Sequence, residues 1–461
     1  MTGRGLEKLM EAGRCEAQGD SAGELKALME GLQADGSSYE MFYMLGLLYR
    51  NRNLNQAYLC MRQAEWYCAQ QKAGDPELEK DLQKDLQEIG DMRRSLEQRP
   101  DLSVRGLSVV ILSYNDAELM KACLASVRRE MDPRDTQIVV TENASTDGIA
   151  AWLRTQDGIL LIENGDNVGY PAGCNIGVMA CNPGNDLLLL NNDTELTPNA
   201  VFWLRMGLYE ERNVGAAGPV SNHATAQTVA ERPVLSAPAT EERTRLTGFA
   251  LMVKREAADA VMEENGLLFD PRFAPAYFED DDLGMRIARA GFRQLLCHNS
   301  YVLHEGGKGF GKASAEAVSG ISPVMQRSRE KFCEKWGFDI WAYELPWEEA
   351  LEKIEAAVPD HRTPLRILQI GCGMGATLAT LKYRYPNSYA AGIEGRDDVA
   401  GIGRFMADII SGNAETMLLP YPPHSFDVIL LADAPEHVQD PEAFGERMRE
   451  FLKEDGLQLI I

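Results

Sequence analysis

Three groups of residues have the types and spacing to do chemistry. The first is Leu187-Leu-Leu-Leu-Asn-Asn-Asp-Thr-Glu195, where four leucines run into amides and acids. The leucines predict a buried strand covered on both faces. A parallel α/β sheet places its chemistry beyond such a strand end. Asp193 is there a hard oxygen donor, suited to holding Mg²⁺ or Mn²⁺ against a diphosphate. The same Asn-Asp-Thr run is also ordinary turn chemistry. The second group is Glu279, Asp280, Asp281 and Asp282, ahead of a helical segment over 283–290. Like charges this close raise at least one carboxyl pKa, as a general base requires. Acids at a helix start serve equally well as caps. The third is His304 with Gly306, Gly307, Gly309, Gly311, Lys308 and Lys312. The glycines favour a mobile loop near phosphate, with the lysines as phosphate contacts. A lone histidine is more often structural.

These groups need elements to position them. Residues 107–112 predict the first buried strand, ending at Ser113-Tyr114-Asn115. A helix over 117–129 follows. Residues 137–141 predict a second strand, ending at Glu142-Asn143-Ala-Ser145-Thr146-Asp147-Gly148. A third over 159–162 runs into Asn164-Gly165-Asp166-Asn167-Val168-Gly169, and a helix from 175 leads to the leucine strand. Buried strands alternating with helices, each ending in polar residues, predict a parallel doubly wound sheet. No G-x-G-x-x-G follows the first strand, so a dinucleotide-binding domain is not supported there. Residues 221–245, rich in Ala, Thr, Pro and charge, read as a long surface loop, bordering an acceptor site or simply inserted.

Leu112-Ser-Tyr-Asn115, Thr141-Glu-Asn-Ala-Ser-Thr-Asp-Gly148, Asn167-Val-Gly-Tyr170, Leu190-Asn-Asn-Asp-Thr194, Thr247-Gly-Phe249, Phe278-Glu-Asp-Asp-Asp-Leu283 and His304-Glu-Gly-Gly307 occur in that order. Over about 107–340 the chain thereby resembles family 2 glycosyltransferases. The resemblance implies a GT-A fold, an α/β nucleotide-binding half followed by a mixed acceptor-side sheet. It implies an inverting, metal-dependent sugar transfer from a nucleotide-sugar. By that resemblance Ser113, Tyr114, Glu142, Asn143, Asp147, Asn167, Gly169 and Asn192 belong to the donor side. Asp193 and His304 would hold the metal, Mn²⁺ or Mg²⁺. Asp280 would be the catalytic base, with Glu279, Asp281, Asp282 and Gly248 on the acceptor side. Glu142 replaces the more usual aspartate, and Asn191-Asn192-Asp193 keeps one acid of the D-x-D pattern. The Asn-Asn-Asp-Thr variant resembles rhamnosyltransferases and other bacterial surface-glycan enzymes. Sugar transfer needs a neutralised leaving diphosphate and a base on the acceptor hydroxyl, and the acids and histidine supply both kinds of group.

The flanks differ in kind. Residues 1–100 read as helices, with apolar residues at helical spacing over 24–32 and 40–50 and a charged helix over 76–98. Leu45-Gly46-x-x-Tyr49, then Ala57, Met61 and Ala64, resembles one tetratricopeptide repeat; a generic helical hairpin fits as well. Such helices commonly bind peptides, so they suggest a protein acceptor or partner, or self-association. A polysaccharide acceptor is the alternative. A helical linker spans 341–364. Leu365-Arg-Ile-Leu-Gln-Ile-Gly371-Cys-Gly373-Met-Gly375, a strand over 391–393 ending at Glu394, Asn413-Ala-Glu415 and Phe426-Asp-Val-Ile-Leu-Leu431 follow. The acid about twenty residues after the glycine turn suits ribose hydroxyls. Over 365–461 these resemble class I S-adenosylmethionine-dependent methyltransferases, which implies cofactor contacts from Gly371, Gly373 and Glu394. Gln369 stands where that family has an acid for the methionine amino group. The run reaches about the fifth of seven strands, so an incomplete or inactive methyltransferase-like domain is expected.

Composition bounds the rest. The 461 residues suffice for two to four domains. A net charge of −24 argues against nucleic acid or an anionic membrane as partner. Nine scattered cysteines without a C-x-x-C pair predict a reduced, cytoplasmic protein. No apolar run is long enough to span a bilayer. The competing readings are a recruitment protein with a degenerate transferase core, and a methyltransferase carrying a sugar-binding module. Intact Asp193, Asp280 and His304 argue against the first, and Gln369 against the second.

Overall fold

A computed structural model describes residues 2–72, 75–262, 265–306, 322–343, 345–431, 438 and 440–460. Lys308, Lys312, Gly307, Gly309 and Gly311 lie outside the described residues. The chain forms two compact units. The first comprises Met1–Thr240, Thr247–Phe269 and Leu296–Glu316; the second comprises Glu241–Leu246, Asp270–Leu295 and Ala317–Ile461.

The first unit opens with helices α1 (Gly3–Gln18), α2 (Ser21–Ala34), α3 (Tyr39–Tyr49), α4 (Leu54–Gln70) and α5 (Pro76–Glu97). The repeat-like residues form the α3–α4 seam: Leu45, Ala57, Met61 and Ala64 are fully buried. Gly46 lets the two helices approach: a Cβ there would lie 2.5 Å from Met61 Cε and 3.2 Å from Cys60 Cβ, so the seam would have to give. The helical region packs on the sheet domain. Phe42 meets Phe202 edge to face at 5.0 Å. Gln56 Nε2 donates to the Met206 carbonyl at 2.9 Å, and Asn53 Nδ2 to the carbonyls of Tyr209 and Glu210. Deleting residues 1–100 therefore uncovers an apolar helix of the core and cannot serve as a clean test of partner binding. Truncating the fully buried Phe42 to alanine is expected to cost about 3–5 kcal/mol by lost contacts and a residual cavity. Chemical denaturation checks this; a loss below about 1 kcal/mol would mean the helices fold apart from the core.

The sheet follows in chain order as β1 (Leu107–Ser113), α6 (Ala117–Glu130), β2 (Thr136–Glu142), α7 (Ile149–Leu153), β3 (Leu160–Glu163), α8 (Tyr170–Met179), β4 (Asp186–Asn191), β5 (Thr194–Leu196), α9 (Ala200–Leu208), β6 (Val214–Ser221), β7 (Thr240–Glu242) and β8 (Ala250–Val253). Next come α10 (Arg255–Val261), α11 (Glu279–Arg289) and β9 (Arg293–His304). The sheet order is β3-β2-β1-β4-β8-β6-β9-β5. Strands β3, β2, β1 and β4 are parallel. The pairs β4–β8, β6–β8 and β5–β9 are antiparallel. The parallel half matches the doubly wound expectation, and the antiparallel remainder is the mixed half. Leu187, Leu188, Leu189 and Leu190 are all buried, as a strand covered on both faces must be.

In the second unit, α11 is followed by α12 (Pro323–Trp336), α13 (Glu348–Ala357), β10 (Arg366–Ile370), α14 (Ala376–Arg384), β11 (Tyr389–Glu394), α15 (Asp397–Gly403), β12 (Asp408–Ser411), β13 (Phe426–Leu431) and β14 (Leu452–Ile460). The order β12-β11-β10-β13-β14 is parallel throughout. One apolar cluster joins α11 (Met285, Ala288) and α12 (Phe332, Trp336) to Met374, Val399 and Ile402. All nine cysteines are free thiols. No described helix is long and apolar enough to cross a membrane.

Candidate functional site

The carboxyl ends of β1, β2 and β4 lie side by side, because parallel register pairs Ser113 with Glu142 and Leu112 with Asn191. Three non-glycine residues beyond these ends, Asn115, Asp116 and Ala144, have φ of 55°, 54° and 60°. Such left-handed residues cluster where a loop is held for function. The loop polar groups hold one another. Glu142 accepts from the Ala144 and Ser145 amides at 3.1 and 2.8 Å. Asn143 accepts from the Val168 amide and donates to Asn167, which accepts from the Gly169 amide. Asp147 accepts from the Ala117 and Ile149 amides. Asn143, Asp147, Asn167 and Gly169 thus build the rim. Ser113 is fully enclosed and its hydroxyl has no hydrogen-bond partner. Tyr114 is half-buried. Asn192 Nδ2 donates to the Asn115 carbonyl at 3.3 Å. Gly248 is tied by its carbonyl to Tyr170 Oη at 3.0 Å.

Asp193 ends the two-residue turn between β4 and β5. Antiparallel pairing sets Thr194 opposite His304, and the Glu305 amide donates to the Asp193 carbonyl at 3.0 Å. His304 Nε2 then lies 3.3 Å from Asp193 Oδ1. His304 Nδ1 is 2.6 Å from the His223 carbonyl, and the ring stacks on Phe249 at 5.0 Å. A carbonyl only accepts, so Nδ1 must carry a proton. A neutral His304 would then aim its Nε2 lone pair at a carboxylate. That arrangement is repulsive unless a cation, either a proton or a metal, sits between the two. Burial lowers the His304 pKa, but the Asp193 hydrogen bond and charge outweigh it and hold the pKa above the ordinary histidine value. Carboxylate oxygen plus imidazole nitrogen is a donor set that fits Mn²⁺ or Mg²⁺, with the remaining positions open to water or phosphate. Among the described residues no third His, Cys, Asp or Glu joins them. Sequence reasoning missed His223, whose contribution is a backbone carbonyl and so leaves no residue signature.

In the second unit, the acids form the first turn of α11 and all four are buried. The helix cap is Phe278, which makes no side-chain capping bond. Tyr277 and Phe278 have φ of 73° and 69°. Two successive left-handed non-glycine residues cost roughly 1–3 kcal/mol each and persist where surrounding structure enforces them. The four acids differ sharply. Asp282 receives Arg286 at 2.8 Å, Lys335 at 2.6 Å and Trp336 Nε1 at 2.9 Å. Asp281 pairs with Arg245 at 2.7 Å. Asp280 accepts from the Asp281 amide at 3.0 Å. Burial, reinforced by the Asp280 charge, pushes the Glu279 carboxyl well above the usual range, and one Glu279 oxygen lacks a hydrogen-bond partner. Asp282 is therefore an internal anchor of this turn.

Also in the second unit, a cleft of about 430 Å³ lies at the carboxyl ends of β10 and β11. It is lined by Gln369, Gly371, Gly373, Glu394 and Asn413 with Tyr343, Trp347 and Phe444. Gly371 and Gly373 have φ of 66° and 55°. Glu394 accepts from the Gly373 and Arg396 amides at 2.9 and 3.0 Å.

Residues 108–254 match the family model described as glycosyl transferase family 2, and residues 368–460 match that of a methyltransferase domain. An N-acetylglucosaminyl-diphospho-decaprenol L-rhamnosyltransferase of Mycobacterium tuberculosis (strain ATCC 25618 / H37Rv) is 25% identical over 253 residues, 46% of this chain and 80% of the relative. Among solved structures, GalNAc-T7 with UDP, GalNAc and Mn²⁺ is 14% identical, with TM-score 0.39, over 56% of this chain and 51% of that one. The chain thus spans about half the length of that structure. The mannosyltransferase PcManGT from Pyrobaculum calidifontis, with GDP-Man and Mn²⁺, is 16% identical, with TM-score 0.36, over 66% of this chain and 92% of that one.

Proposed function

We propose that this chain, whose residues 108–254 match the family 2 glycosyltransferase model, carries out an inverting, metal-dependent transfer of a sugar from a nucleotide-sugar to an acceptor hydroxyl. The acceptor is a bacterial surface glycan or surface protein. The relative that transfers L-rhamnose puts a rhamnosyl donor first in any panel. The observation that supports the metal is the His304–Asp193 pair, whose two donor atoms converge at 3.3 Å on a place that a proton or a metal can fill.

Asp193 and His304 would hold the divalent ion, which supplies charge neutralisation to the leaving diphosphate. The rim built by Asn143, Asp147, Asn167 and Gly169, with Glu142 beneath it, gives the nucleoside a fixed wall. Asp280 takes the proton of the acceptor hydroxyl. Burial and the Asp280 charge disfavour the ionised Glu279 carboxylate, which is the form that takes up a proton. Arg245 holds Asp281, and Lys335, Arg286 and Trp336 hold Asp282, so the turn presenting Asp280 is fixed before the acceptor arrives.

Release of nucleoside diphosphate from a panel of nucleotide-sugars, with Mn²⁺ and with chelator, tests the reading. Turnover in Mn²⁺ that chelator abolishes is the expected result. Equal turnover in chelator overturns the metal assignment.

The His304 shift gives a pH prediction. Its folded-state pKa is raised, so in chelator its contribution to stability is present below the unfolded pKa. That contribution is lost as pH rises through the folded value. Mn²⁺ competes with the same proton, so its affinity rises over that window. Melting temperature against pH in chelator, paired with Mn²⁺ calorimetry, checks both signs; a pH-independent Mn²⁺ affinity refutes them.

A further inference from the structure

The methyltransferase-type cleft has a ligand preference of its own. Its glycine turn resembles a phosphate cradle, but among the described residues no lysine or arginine lines it. The Gly373 amide, which would face a phosphate, is already taken by the Glu394 carboxylate at 2.9 Å. An anion placed there meets a carboxylate and gains no cation, so phosphate is excluded. The walls suit a nucleoside. Tyr343, Trp347 and Phe444 are aromatic, and Glu394 and Asn413 can meet hydroxyl and base donors. Tyr343 sits directly over the turn: a Cβ on Gly373 would lie 3.0 Å from its ring.

The remaining polar group is Gln369, at 2% exposure on β10. It lines the cleft, and its side-chain oxygen has no hydrogen-bond partner. A buried acceptor left without a donor costs about 1–3 kcal/mol. It therefore awaits one from a ligand. Being neutral, it offers hydrogen bonds and no charge, so a cationic amino-acid tail gains little there over a hydroxyl or amide.

We propose that this cleft binds a phosphate-free nucleoside, and that Gln369 removes selectivity for the charged amino-acid tail of S-adenosylmethionine or S-adenosylhomocysteine. The residues thus fit the nucleoside half of that cofactor and do not fit its ammonium half. The proposal does not depend on the glycosyl-transfer reading.

Calorimetry on the full chain in chelator, with adenosine, ADP and S-adenosylhomocysteine, tests it. Adenosine and S-adenosylhomocysteine are expected to bind within about tenfold of each other, and ADP at least about tenfold more weakly than adenosine. In Gln369→Glu, S-adenosylhomocysteine is expected to tighten by about tenfold through a charge-assisted bond, with adenosine unchanged. S-adenosylhomocysteine binding to the unaltered chain more than about a hundredfold tighter than adenosine overturns the proposal. So does ADP binding as well as adenosine, or no binding by either nucleoside. A folded Gln369→Glu that leaves S-adenosylhomocysteine unchanged overturns the role of Gln369. If that variant does not fold, the three ligands on the unaltered chain decide. Nucleoside diphosphate binding in Mn²⁺, measured on the same preparation, reports the transferase site separately.

Discussion

Asp193→Ala is expected to abolish Mn²⁺-dependent binding of nucleoside diphosphate and to leave the chain folded. The carboxylate is one of two protein donors that converge, and His304 alone is a weak site. Removing an outer-shell partner already costs roughly 10–100-fold in metal affinity, so removing a direct donor costs at least that. Folding is spared because the turn is held by backbone. The Glu305 amide binds the Asp193 carbonyl, and Thr194 pairs with His304, neither through the Asp193 side chain. The variant also loses the anion that raises the His304 pKa, so that pKa falls. Calorimetry with UDP, GDP and dTDP in Mn²⁺ measures the effect. Undiminished diphosphate affinity, in a variant with an unchanged melting curve, would sink the metal assignment.

The legibility of this fold in the sequence followed from periodicity. The strand of four leucines could be read because a strand buried on both faces has no polar alternation, and β4 is buried along that run. The strands β5, β6, β8 and β9 carry no such signal. At three and four residues β5 and β8 are too short for a period, and β6 holds two glycines and a proline. Polar residues at strand ends mark the turns after β1 and β2 as candidates for function. Their internal division of labour is not marked in this way. Sequence cannot tell that Asn143 and Asp147 bind backbone amides, since that depends on left-handed φ at Asn115, Asp116 and Ala144. The acid cluster is the clearest case. Four adjacent carboxylates look alike in sequence. Only three-dimensional packing assigns Arg245 to Asp281 and three donors to Asp282.

That division ranks the acids for the last prediction. Asp280→Asn keeps the side-chain size and removes the basicity, so transfer is expected to fall by roughly 10²–10⁴-fold, the usual contribution of a positioned base. Donor affinity stays near normal, because metal and nucleoside rim hold the donor. Glu279→Gln is expected to change transfer less than Asp280→Asn, because burial and the Asp280 charge already disfavour the ionised Glu279 carboxylate. Asp282→Asn is a misleading control. Its carboxylate is inaccessible to solvent and faces Arg286 and Lys335, and breaking a buried pair costs about 3–5 kcal/mol. Activity lost in that variant is expected to come with a lowered melting temperature, whereas Asp280→Asn loses activity with its melting temperature retained. Transfer assays and melting curves on all three variants separate the cases. Full transfer in Asp280→Asn with loss in a stable Glu279→Gln moves the base by one residue. Full transfer in both means that the turn serves only to start α11, and that the acceptor's proton leaves by another group.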